Sequence, residues 1–368
     1  MKAISLFAGM GGDTLGIEDA GVKVVAFSEN NKWAIKSHLA NFPDSELIGN
    51  GDITKVDWRK SEYKKFAGID VLFAGFPCQS FSSAGLRKVG EANDPRNTMF
   101  KYFVRAANAL KPQVIIGENV KGLLTKKTYM GLNYIDVIVK EFEKLGYNVK
   151  YGLVKCEEHG VPQKRVRLFI VGTLKENPLS IKIINDTPYI DLPTEKEVGL
   201  RSFIEPSLER SNIISSSQLD LSDKGDKIVE AVGDKTDPHP YLLLKMDKKE
   251  DHYWNGSQYE YKGKTFDSLF SFSKRDSPIH CEVVDIDKPA KTIICTYASQ
   301  PRMFVPVKEG DDYYIRSFTI NELKQIQSFP KDFIVEGNEA EQIKQIGNAV
   351  PPRVCTKLVK EILNVDGN

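Results

Sequence analysis

Cysteine is scarce and scattered in this chain: five residues in 368, at positions 78, 156, 281, 295 and 355, an odd number with no Cys-x-x-Cys spacing. That argues against a disulfide framework, and the five histidines, none in a His-Glu-x-x-His arrangement, argue against a zinc site. No metal is therefore expected. No apolar run approaches the ~18 residues that a membrane span needs. The first eight residues imitate a signal peptide. Gly9, Gly11, Gly12 and Asp13 then interrupt the apolar run with no small-residue cleavage site behind it, which reads as a first β-strand in a cytoplasmic protein. An excess of charge is missing too: 51 basic against 50 acidic residues leave a net +1, which neither favours nucleic acid nor excludes a local basic face. Internal repeats and low-complexity tracts are absent.

What is present is a regular alternation. Apolar strand candidates at residues 3–7, 22–27, 71–74, 114–117, 149–154 and 168–171 are separated by helix-period segments. Met99, Phe100, Phe103, Val104, Ala107 and Leu110 share one helical face; Ile135, Ile138, Val139, Phe142 and Leu145 share another. This order predicts an α/β fold built on a doubly wound, mostly parallel sheet. From about residue 185 the helical period fades. Turn signals at Ser215, Asp223-Lys224-Gly225-Asp226 and Asp237-Pro238-His239-Pro240 suggest a smaller, irregular second domain. Amphipathic order returns at residues 315–329, and Pro351-Pro352 opens a closing helix with Val354, Leu358, Val359 and Ile362 on one face. The expected division is a large domain over 1–184, a second over 185–305, and a segment 306–368 that returns to complete the first.

Several polar residues stand at the carboxyl ends of the strand candidates, where open α/β sheets hold their chemistry. Cys78 follows the strand and the turn Gly75-Phe76-Pro77, and reads either as a nucleophile or as a small buried apolar residue. Glu118-Asn119-Val120 ends a neighbouring strand and would bring Glu118 near Cys78, unless Glu118 is only a helix-starting acid. Phe7-Ala8-Gly9-Met10-Gly11-Gly12 joins the first strand to the first helix and lets backbone approach a ligand; Thr14 stands where a dinucleotide fingerprint needs glycine. Glu29 can accept from ribose hydroxyls and Asp52, ahead of Ile53, from an adenine amino group. Gln163-Lys164-Arg165-Val166-Arg167 places two arginines at alternate positions, suited to phosphate or carbonyl oxygens.

In this order the motifs resemble the DNA (cytosine-5)-methyltransferase family over nearly the whole chain. Phe7–Gly12, Glu29 and Gly51-Asp52 are similar to its first three motifs. Gly75-Phe76-Pro77-Cys78-Gln79-Ser80-Phe81-Ser82 is similar to its catalytic loop, and Asp94-Pro95-Arg96-Asn97-Thr98 to the segment that opens the following helix. Glu118-Asn119-Val120 and the Gln163, Arg165, Arg167 set match further motifs. So do Lys288-Pro289-Ala290-Lys291-Thr292, Gln327-Ser328-Phe329-Pro330 and Gln345-Ile346-Gly347-Asn348-Ala349-Val350-Pro351-Pro352. Two residues depart from the pattern. Asn30 stands where relatives often present a flat or apolar side chain to the adenine, and Lys324 where arginine is common.

The resemblance implies a Rossmann-like, S-adenosyl-L-methionine-dependent enzyme that methylates C5 of a flipped cytosine in duplex DNA and releases S-adenosyl-L-homocysteine. It implies Cys78 as nucleophile toward C6, Glu118 at N3 and the amino group, Arg167 at O2 and Arg165 at a nearby phosphate. Phe7, Gly9, Gly11, Gly12, Glu29, Asp52, Ile53, Pro77 and Asn348 are the implied cofactor residues. Residues 83–93 read as a lid behind Cys78, and residues 185–305 as a target-recognition domain. Ser82, Arg87, Lys88, Gln163, Trp254, Tyr259 and Lys262, with Lys264, are the candidate DNA contacts. A monomer and a restriction-endonuclease counterpart are further expectations. The same chemistry on tRNA, or a catalytically silent DNA-binding protein, are the competing readings.

Overall fold

The computed structural model describes residues 1–77, 99–128, 130–175, 189–215, 218–221, 223–234, 236–238, 253–254 and 256–363. They form two compact units. The first comprises Met1–Lys196, Phe333–Glu336 and Ala349–Asn368, and the second Glu197–Asp332 and Gly337–Asn348.

The first unit is built on a seven-stranded sheet. In chain order its elements are β1 (Lys2–Leu6), α1 (Gly12–Asp19), β2 (Lys23–Ser28), α2 (Lys32–Asn41), β3 (Glu46–Leu47), β4 (Val71–Ala74), α3 (Phe100–Leu110), β5 (Val114–Val120), α4 (Tyr134–Lys144), β6 (Tyr147–Lys155), the short β7 (Gln163–Lys164), β8 (Val166–Leu174) and α5 (Pro352–Leu363). The spatial order is β3-β2-β1-β4-β5-β8-β6. Strands β3, β2, β1, β4 and β5 run parallel, and β8 lies antiparallel between β5 and β6.

Successive strand residues point to opposite faces, and here both faces are covered, so the strands read as continuous apolar runs rather than as alternation. Ile4, Leu72, Ala74, Ile115 and Ile170 pack with Phe103 and Leu110 of α3 and Ile138 and Phe142 of α4. Ala3, Val71, Phe73, Ile116 and Val171 pack on the other face with Ile17 of α1 and Val354, Leu358 and Val359 of α5. Both expected helices form, and α5 starts at Pro352 as the double proline predicts. Helices α1 and α5 touch at Gly16, where an added Cβ would lie 2.5 Å from Cys355 Cβ and from the Pro352 carbonyl oxygen.

One of the polar residues buried in this frame is a carboxylic acid. Asp13, in the first turn of α1, is 2% exposed and accepts a hydrogen bond from Ser5 Oγ of β1. Loss of hydration pushes its carboxyl up to about 7, against hydrogen bonds from Ser5 and from first-turn amides that pull it down. Between about pH 4 and about pH 7 the folded protein holds a proton at Asp13 that the unfolded chain releases. The favourable contribution is complete below the unfolded value and is lost as pH rises through the folded one, on the order of 4 kcal/mol in total.

The second unit is not irregular. A mixed sheet joins Asn212–Ile214, Val229–Glu230, Ser271–Phe272, Glu282–Val283, Met303–Glu309 and Asp312–Arg316, and a separate small sheet joins Tyr253–Trp254, Tyr259–Tyr261 and Lys264–Phe266. The amphipathic stretch 315–329 divides: Ile315 and Arg316 end a strand, and a helix runs only over Ile320–Ile326. The break has a local cause. Thr319 and Glu322 form a reciprocal capping box that starts the helix there.

Glu322 also meets Arg316, at 2.7 Å from Nη2 and 2.9 Å from Nη1, and both side chains are fully buried. Arg316 donates further to the carbonyls of Ser207, Glu205 and Ser317, and Glu322 accepts from the amides of Glu205 and Thr319. Every charge in the pair is thus met by hydrogen bonds.

Two outcomes follow from these buried groups. Urea unfolding of Asp13→Asn should lose the fall in stability that the native protein shows between about pH 4 and pH 7; an unchanged slope would contradict the placement of Asp13. Arg316→Met should cost about 3–5 kcal/mol, because it leaves Glu322 buried and uncompensated, and adding Glu322→Leu to it should recover part of that loss in the same assay.

Candidate active site

The site is built at the carboxyl edge of the parallel strands, from residues that the sheet register brings level. Ala74 of β4 pairs with Gly117 of β5, so Gly75 and Glu118 leave the sheet side by side. A Cβ placed on Gly75 would stand 3.6 Å from the Phe7 carbonyl oxygen, 4.0 Å from Glu118 Oε2 and 4.0 Å from Val350 Cγ2. The first glycine turn, the Glu118 strand and the segment leading into α5 therefore converge on the stretch that precedes Cys78.

Glu118 forms an ion pair with Arg167, Oε1 to Nε at 2.9 Å, and the two side chains are only 12% and 14% exposed. The pairing follows from register, since Val120 and Glu118 of β5 lie opposite Arg167 and Phe169 of the antiparallel β8. Burial raises the Glu118 carboxyl above the ordinary carboxylate range, while the positive charges of Arg167 and Arg165 oppose it. Arg165 is 1% exposed and donates from Nη2 to the Ala349 carbonyl at 3.0 Å. Burial, assisted by repulsion from Arg167, brings its guanidinium down to about 9. One carboxylate paired with Arg167 and within the field of Arg165 is poised to hydrogen-bond a polar planar ligand and to answer a change in that ligand's charge.

Asn119 has a role that the sequence did not signal. Its side-chain amide donates to the Phe76 carbonyl at 3.1 Å, and its Oδ1 accepts from the Val120 amide at 2.9 Å. It pins the chain two residues ahead of Cys78. In sequence it looks like an ordinary strand-end asparagine, and only the β4–β5 register shows what it reaches. Cys78 itself, with Ser82, Arg87, Lys88 and residues 83–93, lies outside the described residues. Among the described cysteines, 156, 281 and 355 are buried, and burial pushes the Cys156 thiol up to about 12 and the Cys355 thiol well above its usual value. Neither of those two is suited to nucleophilic work at neutral pH.

The nucleoside half of the site lies along β1 and β2. Phe7 and Gly9 have positive φ, and Gly11, at φ 97°, is the N-cap of α1. A Cβ at Gly9 would meet nothing within 4 Å, which leaves space against the backbone. Glu29 spans this turn: Oε2 accepts from the Gly9 amide at 2.9 Å and Oε1 from the Asn31 amide at 2.8 Å. Each oxygen keeps a lone pair for a hydroxyl donor. Gly51 has φ 92°, and a Cβ there would come within 2.3 Å of the Glu29 carbonyl oxygen. Only glycine lets the Asp52 segment lie so close to Glu29. Asp52 is held ionised by hydrogen bonds from Thr54 and by Lys55, and its side chain is 35% exposed. Ile53 behind it is buried, Pro77 is half-buried and Asn30 is exposed. A pair of anchored carboxylates beside an open glycine turn fits the ribose and adenine of S-adenosyl-L-methionine. Asn348 is exposed at the end of the helix Glu339–Asn348, within the second unit.

The expected DNA contacts divide. Gln163 is buried. Tyr259 is also buried, in an apolar cluster with Phe270, Val283 and Phe304, so it does not lie on the surface where a base contact was expected. Strand alternation turns it inward and its neighbour Glu260 outward. Lys262 and Lys264 are exposed, Lys262 at φ 48° in the hairpin turn; Trp254 lies in the strand Tyr253–Trp254. Lys324 is buried and donates to the Lys331 carbonyl. Among the described residues no cluster of three or more His, Cys, Asp or Glu side chains could hold a metal ion. No described helix is long and apolar enough to cross a membrane.

Comparison with known proteins places the chain in a family. The family model for C-5 cytosine-specific DNA methylase matches residues 1–364. The chain is similar to the Type II methyltransferase M.NgoFVII of Neisseria gonorrhoeae, at 30% identity over 371 residues that cover 99% of this chain and 87% of the relative. It is similar as well to the Type II methyltransferase M.Eco47II of Escherichia coli, at 31% identity over 370 residues that cover 98% and 78%. Among solved structures, a Spodoptera frugiperda DNMT2 variant shares the fold with a TM-score of 0.66 at 18% identity, over 98% of this chain and 99% of that one. With a family model spanning almost its full length and relatives at this level of identity, the chain belongs to the C-5 cytosine-specific DNA methylase family.

Proposed function

We propose that this DNA (cytosine-5)-methyltransferase acts on duplex DNA through Cys78, with Glu118, Arg165 and Arg167 completing the catalytic set. The observation that carries the reading is the Glu118–Arg167 pair at the carboxyl edge of the sheet, level with the Gly75-Phe76-Pro77 segment that leads into Cys78. C5 of cytosine is a weak carbon nucleophile and needs covalent activation. The Cys78 sulfur adds to C6, which makes C5 enamine-like. Glu118 hydrogen-bonds N3 and the exocyclic amino group, and its raised protonation range suits it to meet the charge that develops there. Arg167 holds O2 and also keeps Glu118 oriented, while Arg165 braces the pair and faces a phosphate. Phe7, Gly9, Gly11, Gly12, Glu29, Asp52, Ile53 and Pro77 would hold S-adenosyl-L-methionine, which would supply the sulfonium methyl that C5 takes up. Loss of the C5 proton and expulsion of Cys78 then restore the aromatic ring.

A free thiol with a pKa of about 8.5 is only a few per cent ionised at pH 7, so the Cys78 loop lowers that value or couples attack to proton transfer. Neither C5 nor C6 is reachable in a stacked duplex, and the cytosine is flipped out to meet Cys78. Residues 185–305 read the flanking bases, as a target-recognition domain, and of the returning segment 306–368 it is Phe333–Glu336 and Ala349–Asn368 that complete the catalytic domain. The relatives are named Type II methyltransferases. By that likeness this chain is the modification partner of a restriction endonuclease; a monomer in the bacterial cytoplasm is a further part of the proposal.

With labelled S-adenosyl-L-methionine, the purified protein should transfer methyl to duplex DNA, and nucleoside analysis should find 5-methylcytosine as the product. Glu118→Gln should slow the transfer by about 10²–10³-fold, the usual loss on removing one group that stabilises developing charge. Transfer to tRNA alone would overturn the DNA assignment, and cofactor binding with no transfer to mixed genomic DNA would favour a silent DNA-binding protein.

A further inference from the structure

The catalytic scheme uses the buried carboxyl of Glu118 and leaves that of Asp13 without a task. Both lie on one face of the sheet. Ser5 of β1 is in register with Phe73 of β4, and Phe73 with Ile116 of β5. Side chains alternate along a strand, so Ser5, Phe73, Ile116 and Glu118 point the same way, toward α1 and α5. Asp13 reaches this face from α1 and accepts from Ser5 Oγ, and Ser5 is itself fully buried. Ser5 stands two residues before Phe7, roughly 7 Å of extended chain. The Asp13 carboxyl is therefore set beneath the glycine turn, on the face where Gly75 and Glu118 converge with the Phe7 carbonyl.

Burial pushes this carboxyl up to about 7; hydrogen bonds from Ser5 and from the amides of Thr14 and Asp13 oppose the rise, and the charge of Glu118 adds to it. Two further groups packed around it stay neutral at that pH. His38 of α2, whose Nε2 meets Thr14 Oγ1, is held uncharged by burial. So is the Cys355 thiol of α5, which lies 3.5 Å from the Asp13 carbonyl oxygen. Arg167 and Arg165 act on Glu118. Farther along α5, Arg353 and Lys357 pair with Glu195, and Lys360 acts on Asp19 at the opposite end of α1. Asp13 is thus the buried group whose charge near neutral pH responds to what rests on the turn above it.

S-adenosyl-L-methionine and S-adenosyl-L-homocysteine share their adenine, ribose and amino-acid parts. They differ by one methyl group and by one positive charge at sulfur. We infer that Asp13 is the residue by which the site tells the two apart: it releases its proton to solvent when the sulfonium form rests on the glycine turn and keeps it when the thioether form does. A cation favours a nearby carboxylate over the carboxylic acid, and by linkage the carboxylate favours the cation equally. The direction follows. Asp13 is protonated below about pH 7 and ionised above it, so the preference for the methyl donor over the spent product rises as pH rises through that value. This role presupposes that the turn is the S-adenosyl-L-methionine site, and it adds to that site a specificity residue that acts through charge rather than contact.

The test is calorimetric binding of S-adenosyl-L-methionine and of S-adenosyl-L-homocysteine to the full-length protein without DNA, from about pH 5.5 to about pH 8.5. Across that range the ratio of the two Kd values should move toward S-adenosyl-L-methionine by about five- to tenfold. That is the effect of one charge on another at a separation on the order of 10 Å and an effective dielectric constant of about 20. Buffers of different ionisation enthalpy should show that S-adenosyl-L-methionine releases more protons near neutral pH than S-adenosyl-L-homocysteine does. Asp13→Asn should bind both ligands with a ratio that no longer varies with pH. Ser5→Ala removes a hydrogen bond that favours the carboxylate, so it should move the rise to higher pH, and it reads the same linkage should Asp13→Asn fail to fold. A ratio independent of pH in the unsubstituted protein, an unchanged rise in Asp13→Asn, or a midpoint that Ser5→Ala leaves in place would each overturn the inference. Unsubstituted protein that binds neither ligand would instead overturn the cofactor-site reading beneath it.

Discussion

A carboxylate paired with one arginine and in the field of a second, almost out of reach of water, is the constraint around which the first unit is arranged. Glu118 and Arg167 can meet only because β8 runs antiparallel to β5 and sets Val120 opposite Arg167. A charge pair removed from water is stabilising only when its remaining donors and acceptors are satisfied. Arg167 therefore also donates to the Val166 carbonyl, and Arg165 directs a donor to the carbonyl of Ala349. That last bond ties the cluster to a residue 184 positions away, at the point where the chain enters α5. The close approach of α1 and α5 at Gly16 keeps that return in place, so the end of the sequence takes part in the electrostatics of its middle.

The cofactor side depends on a different arrangement. Its two acids do not float at the surface: Glu29 is fixed by two amides and Asp52 by Thr54 and Lys55. Beneath the glycine turn lie a protonatable carboxyl, Asp13, and a neutral imidazole, His38. Burial drives His38 down to about 3, and its ring stacks on Phe27 at 3.7 Å while Nε2 meets Thr14 Oγ1 at 3.0 Å. The rim's carboxylates, above a neutral imidazole and an acid that ionises only near pH 7, suit hydroxyl and amino donors.

The strand ends were legible because a strand buried on both faces must be apolar throughout, and its first polar residue marks where it leaves the core. That logic located Glu29, Gly75, Glu118 and the arginines of 165–167, and with them the motifs that named a family. It failed where a residue's partner is distant in sequence or where a periodicity spans two elements. Asp13 looks like an N-terminal helix acid and is in truth buried against Ser5. Asn119 reads as a strand-end amide until β4 is laid beside it. Ile315 shares an apolar period with the helix that follows, yet the capping box at Thr319 gives it to a strand. Tyr259 carries the aromatic signature of a base contact, but a three-residue strand turns it into the core of the second unit. Sequence shows which side chains are polar or aromatic; only pairing shows which way each one faces.

The central claim is that the Glu118–Arg167 site serves a covalent attack by Cys78 on cytosine. It is tested most directly by incubating the protein and S-adenosyl-L-methionine with a duplex that carries 5-fluorocytosine at the methylated position, where the C5 fluorine cannot leave as a proton does. The expected result is a stable protein–DNA adduct that peptide mapping assigns to Cys78 and that Cys78→Ala abolishes. No adduct from protein that methylates ordinary DNA, or an undiminished adduct from Cys78→Ala, would contradict it.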